Sequence, residues 1–82
     1  MPNYKEIETE YIPSFKPFKH GYSMRAEVNK TDKEYNVYSY STLLASINIE
    51  TNQVTFLNLN KYSSTTSRQQ SLLKRALSKV GA

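Results

Sequence analysis

The chain has 82 residues, a formal net charge of +4, no cysteine and no tryptophan. Disulfides and thiolate metal sites are thereby excluded, and a single domain of this size buries only about 60% of its unfolded surface. With so small a core, pairing with a second copy is one route to reinforcement.

No apolar run approaches the roughly 20 residues of a membrane span, and the first residues lack the apolar stretch of a signal peptide. The expectation is a cytosolic protein with no membrane partner. The charge is unevenly placed. Residues 1–18 carry Lys5 and Lys16 against Glu6, Glu8 and Glu10, and residues 19–50 are balanced. Residues 51–82 hold Lys61, Arg68, Lys74, Arg75 and Lys79 with no acid at all. Such asymmetry points the last third towards an anionic partner, although a solvated helix face would also explain it.

In chain order, residues 1–18 (MPNYKEIETEYIPSFKPF) hold all three prolines. Proline fixes φ and biases the residue before it towards extended backbone, so Ser14 to Phe18 should not be helical. "YKEIETEYI" could form an edge strand or a short helix; the segment is expected as an irregular, partly ordered N-terminal arm that packs its aromatics on the rest. Residues 19–82 should then form one α+β domain, with a sheet over 19–60 and a helix over 66–80.

From "KHGYSMRAEV" the period is two, which turns Tyr22, Met24, Ala26 and Val28 to the core and Ser23, Arg25 and Glu27 to water. The turn-prone "NKTDK" leads into "EYNVYSYS", rich in the aromatic and β-branched residues that suit a pleated surface. Its inward side is ambiguous, because Tyr35 and Val37 alternate against Tyr38 and Tyr40. "TLLASINI" alternates through Leu43, Ala45, Ile47 and Ile49. "ETNQ" then makes a hairpin turn into "VTFLNL", with Val54 and Phe56, or Leu57 and Leu59, inward. Three or four antiparallel strands are expected.

The stretch "KYSSTTSRQQSLLKRAL" starts the helix. Thr66 with Gln69, or Ser67 with Gln70, stands in the capping-box relation, and Gly81 supplies a stop. Leu72, Leu73, Ala76, Leu77 and Val80 fall in one arc that should dock on the sheet. Arg68, Arg75 and Lys79 project within about 40° of one another, with Ser71 between them and Lys74 on the flank. A helix start attracts anions, so Lys61, Ser63, Ser64, Thr65 and Arg68 could hold a phosphate or carboxylate there. Capping and helix-dipole complementarity account for many of the same residues without any ligand.

Catalytic chemistry is thin. His20 is the only histidine, no carboxylates stand at metal-ligand spacing, and two glycines make no phosphate loop. The expectation is a non-enzyme with no cofactor and no metal. Tyrosines on an open sheet can stack bases, pack the core or form a protein interface. Tyr35, Tyr38 and Tyr40 are the candidate interface aromatics.

Taken together, "HGYSMRAE", "YSYSTLLA" and "KYSSTTSRQQSLLKRAL" resemble small orphan proteins carried by bacteriophages, prophages and plasmids of Gram-positive bacteria. The likeness covers roughly residues 19–78, and its signature, Tyr-Ser-x-Thr-Thr-Ser-x-x-Gln-Ser, falls on Tyr62, Ser63, Thr65, Thr66, Ser67, Gln70 and Ser71. It implies a small, non-catalytic protein of a mobile element, in the cytoplasm of a bacterial host. Proteins of that kind include inhibitors of host defence, such as anti-CRISPR proteins, and accessory nucleic-acid-binding regulators. The favoured expectation is inhibition of a defence nucleoprotein such as a CRISPR nuclease by direct binding. DNA or RNA binding through the basic helix is the alternative. The basic sign of that helix argues against simple DNA mimicry.

Overall fold

The computed structural model describes residues 2–58, 60 and 64–80, with the backbone alone for Lys79 and Val80. The architecture is α+β: five strands in an antiparallel meander, one long C-terminal helix and a short N-terminal helix. The strands are β1 (Phe18–His20), β2 (Met24–Asn29), β3 (Glu34–Ser39), β4 (Thr42–Asn48) and β5 (Gln53–Leu57), in spatial order of sequence. The expected three or four strands omit β1, which is too short to show a period of its own.

Register divides the sheet into two faces. Phe18, Ala26, Val37, Ala45 and Leu57 lie opposite one another across all five strands. Val28, Tyr35, Ile47 and Val54 make a parallel row. These rows floor the core except at the β5 edge, where Val54, one of the residues expected inward, is 42% exposed and Leu57 is half-buried. The other face carries Lys19, Arg25, Tyr38 and Leu43 in one row and Glu27, Asn36, Ser46 and Phe56 in the next.

Two bulges disturb the alternation. Val37 pairs with Ala45 and Tyr38 with Leu43, leaving Leu44 as an extra residue in β4. Ser46 pairs with Phe56 and Ile47 with Val54, leaving Thr55 extra in β5. Leu44 is consequently buried beside Ala45, and the expected inward Leu43 is only half-buried. Tyr22 also departs from expectation. It sits in the β1–β2 turn rather than a strand, and is exposed.

The N-terminal segment takes the short helix that was one of its two local possibilities, in place of the irregular arm expected. Asn3 and Glu6 form a capping box: the Glu6 N–H donates to Asn3 Oδ1 at 2.8 Å, and the Asn3 N–H donates to Glu6 Oε1 at 3.2 Å. This starts α1 (Tyr4–Glu6), which widens into a π-helical turn over Ile7–Tyr11. There the Ile12 N–H reaches the Ile7 carbonyl at 3.0 Å. The wider turn sets residues five apart on one side, and both Ile7 and Ile12 enter the core.

The C-terminal helix, α2 (Ser64–Val80), lays Leu72, Leu73, Ala76 and Leu77 into the same core. Each such leucine stabilises the fold by about 1.5–3 kcal/mol on burial. Among the described residues no helix is long and apolar enough to cross a membrane.

Tyr35 belongs to this core and not to an interface, correcting its assignment among the outward aromatics. It is fully buried, packs against Phe15, and its hydroxyl donates to the Lys16 carbonyl at 2.7 Å. Burial pushes its phenol far above the ordinary value of 10.0. Because the folded value is the raised one, this contribution to stability is intact below about pH 10 and declines as the unfolded phenol ionises. Tyr35→Phe is expected to cost about 0.5–1.5 kcal/mol at neutral pH through the lost hydrogen bond. In urea unfolding at rising pH it should also show a shallower alkaline loss than the wild type. Equal alkaline slopes would contradict the assignment.

Candidate functional site

The helix start does not form the expected cap. Thr66 and Gln69 lie inside α2 and both turn inward, because the polar residues one and two turns before Leu73 share its face. Gln69 is 0% exposed. Its amide nitrogen donates to the Tyr4 hydroxyl and to the Ser23 carbonyl, each at 3.1 Å, and its carbonyl oxygen accepts from the Ser39 hydroxyl. The Thr66 and Ser39 hydroxyls share a further hydrogen bond across 3.1 Å. One turn on, Gln70 donates to the carbonyls of Asn58 and Asn60, each at 2.9 Å.

This network decides which side of α2 meets water. With Thr66, Gln69, Leu72, Leu73, Ala76 and Leu77 buried, the outward side presents Ser64, Thr65, Ser67, Arg68, Ser71, Lys74 and Arg75, all exposed. The basic face is therefore real over these residues. Lys61 and Ser63, and the side chain of Lys79, lie outside the described residues, as does the expected stop at Gly81.

The charges on that face are not equivalent. Arg75 Nε donates to Glu8 Oε1 at 2.9 Å, so the N-terminal segment partly neutralises it. Among the described residues Arg68 and Lys74 have no acid within ion-pair distance. Arg68 and Arg75, with Tyr4, Lys5, Glu8 and Leu72, line a groove of about 270 Å³ between α2 and the N-terminal segment. Lys5 thus joins the basic surface. The signal that could have placed it was Asn3 three residues before Glu6, which makes Lys5 helical.

A second cluster lies where the β1–β2 and β3–β4 turns meet. Tyr22 is 90% exposed and Tyr40 is 52% exposed. The Arg25 guanidinium lies 4.2 Å from the Tyr38 ring centre, and Lys19 Nζ lies 5.6 Å from that of Tyr22. Of the three candidate interface aromatics, Tyr38 and Tyr40 remain at the surface and Tyr35 does not. Sequence reasoning missed Lys19 and Arg25, whose alignment with Tyr38 follows from strand register alone.

His20 has a structural post. Its Nδ1 lies 2.8 Å from the Pro2 carbonyl, and its ring packs 4.6 Å from that of Tyr4. Among the described residues no group of three His, Asp or Glu side chains is placed to hold a metal ion. Comparison with protein-family models, curated proteins and solved structures finds no match.

Gln69→Leu keeps the volume but strips three hydrogen bonds from buried or half-buried partners. It is expected to destabilise the fold by about 1–3 kcal/mol, read from urea unfolding. A loss below about 0.5 kcal/mol would mean that the amide does not hold the helix to the sheet.

Proposed function

We propose that this chain acts by binding rather than catalysis, as a nucleic-acid-binding accessory or regulatory protein that uses the outward side of α2. The observation that carries this reading is that Arg68 and Lys74 stand exposed on a helix without a single acid, with Lys5 and Arg75 alongside. Cations arrayed along a helix neutralise a regular row of phosphates and release their counterions, which gives affinity without base recognition. The packing of His20 against Tyr4 and Pro2 supports the non-catalytic side of the reading.

A second reading is inhibition of a bacterial defence nucleoprotein, such as a CRISPR nuclease, by direct binding in the host cytoplasm. It rests on the likeness of the Tyr-Ser-x-Thr-Thr-Ser-x-x-Gln-Ser segment to mobile-element proteins, and β5 favours it. This edge strand carries no charge and leaves Val54 and Phe56 exposed. Uncharged edges are open to strand addition by a partner protein or by a second copy of the chain.

Arg68→Glu with Lys74→Glu separates the readings without touching the Arg75–Glu8 pair. Direct binding requires the double variant to lose at least tenfold in affinity for nucleic acid at about 50 mM salt, with the log–log salt slope shallower by about 2. Unchanged binding would remove α2 from the interface. For the second reading, a purified CRISPR nuclease should be captured by the wild-type chain and its cleavage lost. Capture without inhibition, or neither, counts against it.

A further inference from the structure

The β1–β2 and β3–β4 turns bring Lys19, Gly21, Tyr22, Met24, Arg25 and Tyr40 around a concavity of about 400 Å³. We infer that this end of the sheet is a site for single-stranded nucleic acid, in which the rings of Tyr22 and Tyr40 stack on bases while Lys19 and Arg25 meet phosphates. The inference rests on the reading that the chain binds nucleic acid, and adds to it the form of the ligand and a second surface.

Each part of the cluster is built for presentation. The Arg25 guanidinium lies over the Tyr38 ring, its Nε donating to Glu27 Oε1 at 3.1 Å and its Nη1 to the Tyr40 carbonyl at 2.8 Å. Two of its five N–H groups are thus engaged, and the side chain is 38% exposed. Tyr40 is held in the left-handed region at φ 55°, where its N–H donates to the Ser23 carbonyl at 3.1 Å. At the turn tip it is 52% exposed. Tyr22 has Lys19 beside it and is otherwise open to solvent.

Charge selects an anion at this end. Among the described residues Glu27 is the acid paired with the cluster, through Arg25, and its side chain is 60% exposed. Asp32, Glu34 and Glu50 lie at the β2–β3 and β4–β5 turns, which the meander sends to the opposite end of the sheet. Aromatic rings with cations beside them match the repeat of a single strand, base then phosphate. A duplex offers phosphates to the cations but keeps its base faces stacked within, so the exposed rings would gain nothing from it. An acidic peptide would satisfy Lys19 and Arg25 and leave two solvated tyrosine rings unexplained.

The test uses the whole chain with a labelled mixed-sequence oligonucleotide of about ten nucleotides, as a single strand and as its duplex, read by fluorescence anisotropy. Tyr22→Ala removes a solvated ring, and Tyr40→Gly removes a ring while relieving its left-handed backbone, so thermal melting should show both variants folded. Each should weaken single-strand binding by about 5- to 150-fold, with duplex binding changed less than about twofold. Tyr22→Phe, which keeps the ring, should bind as the wild type does. If both ring deletions bind the single strand normally, or the wild type prefers the duplex, the inference is overturned. If those variants bind normally while Arg68→Glu with Lys74→Glu loses affinity, the α2 reading survives without it. If the wild type binds neither ligand at about 50 mM salt, both fall together.

Discussion

One side-chain amide orders this molecule. Gln69 is sealed from water and joins α2 to three other parts of the chain: Tyr4 in the N-terminal helix, Ser23 in the first turn and Ser39 at the end of β3. A buried amide left unpaired costs more than an apolar residue in its place, so the helix has one favourable rotation and one depth. Apolar contacts alone would fix neither so sharply, since Leu72, Leu73, Ala76 and Leu77 could slide against a sheet floored by Ala26, Val37 and Ala45. Satisfaction extends throughout: among the described residues no buried side-chain nitrogen or oxygen lacks a hydrogen-bond partner.

That fixed rotation has a consequence for the surface. Because Thr66 and Gln69 are committed inward, Arg68, Ser71, Lys74 and Arg75 are committed outward. The same bonds seat the first turns of α2 against Ser23 and Ser39, at the end of the sheet where Lys19, Tyr22, Arg25 and Tyr40 collect. Tyr4, which receives a hydrogen bond from Gln69, also lines the hollow at the start of α2 with Ser64, Thr65 and Arg68. The start of the basic helix and the aromatic turns therefore share one end of the molecule. At the far end, Lys33 and Glu50 pair with each other across the β2–β3 and β4–β5 turns.

How far this was legible in the sequence varies with the physics involved. The alternation of Met24, Ala26 and Val28, and the arc of α2 from Leu72 to Leu77, are read correctly because one face of each element turns to the core. Leu44 defeats the same logic, since a bulge reverses the parity of β4 and leaves no mark in composition. Tyr35 and Tyr38 are alike to any propensity scale, and only the register against Ile47 and Leu43 assigns one to the core and the other to the open face. Thr66 and Gln69 have the spacing of a capping box, and what defeats that reading is tertiary: Ser39 and Ser23 offer partners that no local pattern reveals. The basic face of α2 was visible as a row of cations, whereas Glu8 reaching Arg75 from 67 residues away was not.

The dependence of the fold on the Gln69 amide is tested most directly by a double-mutant cycle between Ser39→Ala and Gln69→Ala, measured by urea unfolding. Two residues that hold the helix to the sheet through one shared hydrogen bond should show a coupling of at least about 1 kcal/mol. Additive losses, within about 0.3–0.5 kcal/mol, would contradict it and leave the orientation of α2 to its apolar face alone.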